Sequence, residues 1–126
     1  MEPIVGRYNK IKQAAEGVRS GELSAEEFEQ FLSSTYDLLS AKGNECRTII
    51  DEENYAEESP DEVGEGLGGL DLYEAGLQEM YHYLEDGDFG HLDEGLAMIW
   101  EGNEKINKAM ALNREGREDL DLAFMM

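Results

Sequence analysis

The chain has 126 residues, of which 30 are acidic and 10 are basic, so its formal net charge at pH 7 is −20. This length suits a single domain, and the lack of a long apolar run excludes a membrane-spanning helix. The excess of acidic residues argues against direct binding to nucleic acid, because the carboxylates would repel its phosphates. With Cys46 as its only cysteine the chain cannot form an internal disulfide or a cysteine-rich zinc site, and an N terminus without signal-peptide features favours a cytoplasmic location.

Residues 3–42 are predicted to form an N-terminal helical hairpin. One face of the first helix carries residues at helical spacing, namely Ile4, Tyr8, Ile11, Ala15 and Val18. The second helix begins with a capping box formed by Ser24 and Glu27. Its buried face consists of Phe28, Phe31, Leu32, Thr35, Leu38 and Leu39. We expect this helix to end at Lys42-Gly43, where the glycine suits a C-terminal cap.

Residues 43–69 are predicted to be an acidic, glycine-rich connection that contains a short helix. The segment Ser59-Pro60-Asp61-Glu62 has the features of a helix start, with a serine cap, proline at the first position and acids in the first turn. Four glycines follow between residues 63 and 69, and they lower the helix propensity by about 3–4 kcal/mol in total. The main helix is therefore expected to begin near Leu70 or Asp71.

Residues 70–117 are predicted to form a long helical hairpin that turns at Asp86-Gly87-Asp88. Residues spaced by alternating threes and fours, as the a and d positions of a heptad are, form its core seam. The core seam consists of Leu70, Tyr73, Leu77, Met80, Leu84, Leu92, Leu96, Ile99, Asn103, Ile106 and Met110. We expect Asn103 to be buried and to fix the register of the packing. Residues 118–126 form an acidic and then apolar tail.

A row of small residues at seven-residue spacing lies beside the core seam. Its members, here called the glycine stripe, are Gly69, Gly76, Gly95, Gly102, Ala109 and Gly116. Glycine inside a helix costs about 0.5–1 kcal/mol relative to alanine, so a regular row of it needs a structural reason. The stripe indicates two helix backbones that approach more closely than the usual distance of about 8–10 Å between axes.

These elements predict an all-α fold, an antiparallel helical bundle built from two helical hairpins in a single domain. The last helix, over residues 89–117, would be about 43 Å long at 1.5 Å per residue and would overhang its partner helix by several turns. The overhang carries Ile106, Ala109 and Met110, so either the N-terminal hairpin or a second copy of the chain must cover it. We favour a homodimer, in which another copy's carboxylates would pair with Lys105, Lys108, Arg114 and Arg117.

Three motifs have the spacing of a cofactor or metal site, and helix structure explains each of them. Residues 64–69 match GxGxxG but follow an acidic, helix-forming segment rather than a strand. Residues 16–27 resemble half of a calcium-binding loop, but Val18 offers no oxygen ligand there. Glu79-x-x-His82 matches the spacing of di-iron bundles, but its register faces solvent and no second Glu-x-x-His exists. With no evident ligand partner for His91 either, we predict no catalytic residue, no cofactor and no metal site.

The acidic residues are concentrated between Thr48 and Glu104, where eighteen of them occur without a single lysine or arginine. Such a surface attracts a basic partner and speeds its association at low salt. The candidate acidic partner face consists of Asp51, Glu52, Glu53, Glu57, Glu58, Asp61, Glu62 and Glu65. We therefore expect a non-enzymatic interaction or adaptor protein that binds a basic protein. The alternatives are a DNA-mimic inhibitor of a nucleic-acid-binding protein, a carboxylate-based divalent-metal protein, and an acidic surface that serves only solubility.

Overall fold

The computed structural model describes residues 6–58 and 60–111, which are helical over nearly their whole length. The helices are α1 (Gly6–Ser20), α2 (Ala25–Glu52), α3 (Tyr55–Glu58), α4 (Pro60–Asp86) and α5 (Gly90–Ala111). No β-strand occurs in these two ranges, so the prediction of an all-α helical bundle is confirmed. Predictions made for several other positions lie outside the described residues, namely those for Ile4, Ser59, Arg114, Gly116, Arg117 and the tail 118–126.

The four long helices form an antiparallel bundle, and α4 and α5 share by far its largest interface. Helix α1 lies along α5 in the opposite direction. Near the start of α1, the ring of Tyr8 packs edge-on against Trp100 with 4.9 Å between centroids. At its end, Arg19 donates a hydrogen bond of 2.6 Å to Asp93. Helix α1 is therefore antiparallel to the helix that it covers.

Helix α2 lies along α4, again antiparallel to it. Near the start of α2, the hydroxyl oxygens of Ser33 and Tyr81 are 2.8 Å apart. Near its end, Arg47 lies 3.5 Å from the carboxylate of Asp71. The capping box at the start of α2 is complete, because Ser24 accepts from the backbone N–H of Glu27 and the Glu27 carboxylate accepts from that of Ser24.

The predicted end of α2 at Lys42-Gly43 is wrong, since the helix continues to Glu52. Gly43 has no positive φ angle and is buried inside the helix. The following turns are kept helical by tertiary packing, because Cys46 and Ile50 are buried in the core. The residue that stops α2 is Asn54, whose φ of 58° is the left-handed conformation that ends many helices.

The predicted start of the main helix at Leu70 is also wrong, because α4 is continuous from Pro60 to Asp86. The glycines that lower its propensity lie inside the helix, and Gly66 and Gly69 are buried. Burial against neighbouring elements therefore outweighs the propensity cost of these glycines.

The earlier start of α4 removes the overhang on which the expectation of a homodimer depended. Ile106, Ala109 and Met110 are at most 4% exposed within the single chain. The first turns of α4 lie opposite the last turns of α5, where Glu65 bridges to Lys105 and Lys108 of the same chain. These two lysines are therefore already paired within one copy.

The core lies where the four long helices meet, and the core seam supplies much of it. Nine of its residues are buried, namely Leu70, Tyr73, Leu77, Met80, Leu92, Ile99, Asn103, Ile106 and Met110. Leu84 and Leu96 are partly buried and pack against the same core. From α1 and α2 come Ile11, Ala15, Val18, Phe28, Leu32, Leu39, Cys46 and Ile50. Among the described helices, none has the length and apolar character required to cross a bilayer.

Candidate functional site

The glycine stripe lies at the centre of the α4–α5 interface. A Cβ added to Gly69 would lie 2.6 Å from the carbonyl oxygen of Gly102, and the reverse distance is the same. Gly76 and Gly95 form a second reciprocal pair, also at 2.6 Å. Ala109 is fully buried, and Gly116 lies outside the described residues. At each pair the glycine hydrogen that replaces Cβ points at a carbonyl oxygen, as in a Cα–H···O contact.

One polar pair is buried in this interface, between Tyr73 of α4 and Asn103 of α5. The Tyr73 hydroxyl donates a hydrogen bond of 2.7 Å to Oδ1 of Asn103. Tyr73 is fully buried and Asn103 is 6% exposed, so the bond is shielded from water. Burial raises the pKa of Tyr73 above its ordinary value, because the phenolate would lose its hydration. The pair therefore links the two helices at one register through a neutral hydrogen bond.

The candidate acidic partner face is only partly exposed. Glu62 is a correction, since it is 1% exposed and lies on the inward side of α4 with Val63 and Gly66. Glu65 is also a correction, because it is partly buried and bridges to Lys105 and Lys108. For Glu58 the structure describes the backbone only. The remaining residues are exposed, and we call them the acidic end: Asp51, Glu52, Glu53, Glu57 and Asp61.

The acidic end joins the C terminus of α2 to the N terminus of α4 through the short helix α3. Within residues 6–58 and 60–111, no ion pair involves any of its five carboxylates. The last turn of α2 contains acidic residues and no basic one, although the C terminus of a helix carries partial negative charge. Asp51, Glu52 and Glu53 therefore present unneutralised carboxylates at a helix C terminus, where the dipole favours cations. Asp61 lies in the first turn of α4, where the dipole favours a carboxylate.

A second polar cluster lies beside the turn between α4 and α5, and it brings together both histidines of the chain. Helix α4 carries Glu79-x-x-His82, and the start of α5 carries the reversed spacing His91-x-x-Glu94. Because the two helices are antiparallel, the reversed motif places like residues at the same level. The His82 and His91 rings are 5.6 Å apart between centroids, and a carboxylate oxygen of Glu79 lies within 4.8 Å of one of Glu94. We call Glu79, His82, His91 and Glu94 the histidine–carboxylate cluster.

His91 is held through both ring nitrogens. Its Nδ1 lies 2.8 Å from Oε1 of Glu79, and its Nε2 lies 2.8 Å from Oδ2 of Asp86. The turn positions Asp86, because Gly87 has a φ of 72° and the other oxygen of Asp86 accepts from the backbone N–H of Asp88. One potential ligand atom from each of Glu79, His91 and Glu94 lies within 4.8 Å of the other two. The turn therefore orients one imidazole of α5 towards two carboxylates of α4.

These contacts shift the pKa values of the cluster in opposite directions. The hydrogen bonds to Glu79 and then to Asp86 raise the pKa of His91 to about 9. The hydrogen bond from His91 lowers the pKa of Glu79, whereas the hydrogen bond with Glu79 raises the pKa of Glu94. The pKa of Asp86 is lowered by the backbone N–H of Asp88 and by His91. In neutral solution His91 is therefore an imidazolium that donates from both nitrogens.

Sequence reasoning missed this cluster for an identifiable reason. Read from the N to the C terminus the sequence contains no second Glu-x-x-His, so spacing within one helix predicts no partner for His91. In an antiparallel hairpin the equivalent of Glu-x-x-His is His-x-x-Glu, which residues 91–94 supply. The prediction that Glu79 faces solvent is wrong, because its side chain is 20% exposed and contacts α5. Glu79-x-x-His82 and His91-x-x-Glu94 lie at similar distances along the chain from the Asp86-Gly87-Asp88 turn, which indicates that the two motifs face each other across the hairpin.

No protein-family model matches this chain, and comparisons with curated proteins and with solved structures gave no significant match.

Proposed function

We propose that this protein is a non-enzymatic binding protein and that its acidic end recognises a basic protein partner. The observation that carries the proposal is the end of α2, where acidic residues stand in the last turn without a basic one. A cationic partner there would compensate both the side-chain charges and the helix dipole. The free, buried thiol of Cys46 supports a cytoplasmic setting for this binding.

Charge and exposure together favour recognition at the acidic end over general attraction to the surface. Elsewhere several carboxylates have cations close by, as Asp93 has Arg19 and Asp71 has Arg47. At about 0.15 M salt the screening length is roughly 8 Å, so neighbouring carboxylates still repel one another within a single cluster. A lysine- or arginine-rich surface would relieve this repulsion and would associate rapidly because of the net charge of −20.

The proposal is tested with a fluorescein-labelled decalysine peptide as a model basic ligand. The acidic-end variant carries Asp51→Asn, Glu52→Gln, Glu53→Gln and Asp61→Asn. The control variant removes the same number of negative charges from exposed positions outside the acidic end. Its substitutions are Glu29→Gln, Asp37→Asn, Glu101→Gln and Glu104→Gln. We expect fluorescence anisotropy to show at least about a tenfold loss of affinity for the acidic-end variant and less than about a threefold loss for the control.

Two results would contradict the proposal. Equal losses in the two variants would mean that only total charge attracts the peptide, and an affinity unchanged between low and high salt would rule out an electrostatic recognition surface. A competition experiment with duplex DNA and a natural partner distinguishes a DNA mimic from an adaptor. Displacement of that partner by duplex DNA would favour a DNA mimic, whereas simultaneous binding of DNA and this protein would favour an adaptor.

A further inference from the structure

We propose that Glu79, His91 and Glu94 form a binding site for one divalent transition-metal ion, for which Zn²⁺ is the representative. Their donor atoms come from both helices of the α4–α5 hairpin and lie within 4.8 Å of one another. Around a tetrahedral ion with bonds of about 2.0–2.2 Å, ligand atoms are roughly 3.4 Å apart. Small side-chain rotations therefore bring the three groups into coordinating positions.

The orientation of His91 favours a metal over a simple ion pair. Its Nε2 faces Asp86 at 2.8 Å, and its Nδ1 faces Glu79 at 2.8 Å. Histidine ligands in metal sites usually donate their second N–H to a carboxylate, which fixes the ring and the tautomer. Asp86 occupies that position, so Nδ1 is the nitrogen free to exchange its proton for an ion. Asp86 is thus a positioning residue and not a ligand.

The backbone next to the cluster is held by the glycine stripe and not by the cluster itself. Gly76 lies one turn before Glu79, and Gly95 directly follows Glu94. The reciprocal 2.6 Å approach of these two glycines brings the helices close at this level. The distance between the carboxylates of Glu79 and Glu94 is therefore set by packing that exists without an ion, which lowers the cost of assembling a site.

The donor set selects among cations. One imidazole nitrogen with two carboxylates suits Zn²⁺ and similar transition-metal ions, whereas Ca²⁺ and Mg²⁺ prefer sites made of oxygen alone. Counting Asp86, three carboxylates surround one imidazolium, so the charge of the group favours a divalent cation. Glu94 is exposed, which gives an ion a path from solvent. The ring of His82 lies 5.6 Å from that of His91 between centroids, so His82 is a candidate for a fourth ligand.

The test titrates ZnCl₂ into the metal-free full chain by isothermal titration calorimetry, in 0.15 M salt with a large excess of Mg²⁺ to occupy unspecific acidic sites. We expect one Zn²⁺ per chain. His91→Gln and Glu94→Gln should each weaken binding by at least about tenfold. Glu101→Gln is the matched control, because Glu101 is exposed and lies two helical turns after Glu94 on the same helix. It should leave the affinity within about twofold.

The outcomes separate a metal site from a hydrogen-bonded network that only stabilises the turn. Saturable 1:1 binding that is lost in the two ligand variants and kept in Glu101→Gln supports the site. No binding above the Mg²⁺ background, or equal affinity in all variants, overturns it. If His91→Gln lowers the melting temperature so far that it cannot be titrated, the exposed Glu94→Gln variant decides alone. This result is independent of the acidic end, which the titrated variants leave intact.

Discussion

The two hairpins of the bundle are held together in opposite ways. In the second hairpin, α4 and α5 meet directly through reciprocal glycine pairs, with backbone against backbone. In the first hairpin, α1 and α2 make little contact with each other. Helix α2 packs mainly on α4, through residues such as Phe28, whose ring meets Tyr83 at 6.1 Å. Helix α1 contacts α5, as in the packing of Tyr8 on Trp100, only slightly more than it contacts α2.

This difference shows which half of the molecule depends on the other. The α4–α5 hairpin has its own interface and supplies the surface on which α1 and α2 dock. Its contacts leave no room for a side chain, so they specify one register. The docking of α1 and α2 relies on side-chain volume, which tolerates small adjustments better than a backbone contact does. Substitutions in the two kinds of interface, close-packed and side-chain-packed, should therefore differ in their effect on stability.

The largest effect is expected for Gly102→Leu, in the close-packed interface. A side chain at Gly102 meets the carbonyl oxygen of Gly69 at 2.6 Å, and that backbone atom cannot move aside. Although leucine has the higher helix propensity, we expect the free energy of unfolding to fall by at least about 3 kcal/mol in urea titrations. In the control Gly64→Leu, where nothing lies within 4 Å, stability should be unchanged or rise by up to ~1 kcal/mol. A higher melting temperature for Gly102→Leu would refute the close packing.

An intermediate effect is expected for Leu39→Ala, in the side-chain-packed interface of α2. Leu39 is fully buried, as predicted, whereas the prediction that its neighbour Leu38 is buried is wrong, because Leu38 is 38% exposed. The loss of buried methyl groups and the resulting cavity should cost about 3 kcal/mol in Leu39→Ala. The matched variant Leu38→Ala should cost less than about 1 kcal/mol. Similar unfolding free energies for the two variants would show that α2 does not dock on α4 through the face that carries Leu39.

The smallest effect is expected for Tyr73→Phe, which removes one hydrogen bond from the close-packed interface. Loss of the buried bond to Asn103 should cost about 1–1.5 kcal/mol, while Tyr81→Phe, which removes the exposed bond to Ser33, should cost less than about 0.5 kcal/mol. Chemical unfolding at pH 7 measures both. Equal costs for the two variants would contradict the special role of the buried pair.

Alkaline pH provides a second readout of the same pair. The pKa of Tyr73 is raised in the folded protein, so the folded state holds this proton more tightly than the unfolded state does. The stabilisation is fully present below a pH of about 10, the ordinary pKa of tyrosine, and is lost as the pH rises above it. The free energy of unfolding of Tyr73→Phe should therefore fall less between pH 9 and pH 11 than that of the unchanged protein. A parallel decline in both would show that Tyr73 does not contribute.

Much of the fold could be read from local pattern, because helices leave periodic signals in the sequence. The capping box at Ser24, the turn at Asp86-Gly87-Asp88 and the spacing of the core seam all indicated helices where they occur. The ends of α2 and α4 could not be read in the same way. Gly43 resembles a stop signal, yet the helix runs past it because Cys46 and Ile50 are buried in the core.

The candidate sites show the same limit. The distribution of charge along the chain located the acidic end. Glu62 and Glu65 are acidic residues of the same segment as Asp61, and they differ from it only in the residues that they contact in the folded chain. Glu62 is 1% exposed, and Glu65 meets two lysines of α5. The histidine–carboxylate cluster depends on the alignment of two antiparallel helices, which spacing within one helix does not reveal.

The sequence by itself determined the all-helical class, most of the core seam, the position of the glycine stripe and the excess of negative charge. Each of these is a property of composition or of spacing within one helix. Only the tertiary structure decided where the helices end, which helices are neighbours and which carboxylates remain exposed. The reason is that burial and ion pairing depend on the residue across the interface, and helix propensity of about 1 kcal/mol per residue is outweighed whenever that residue completes the core.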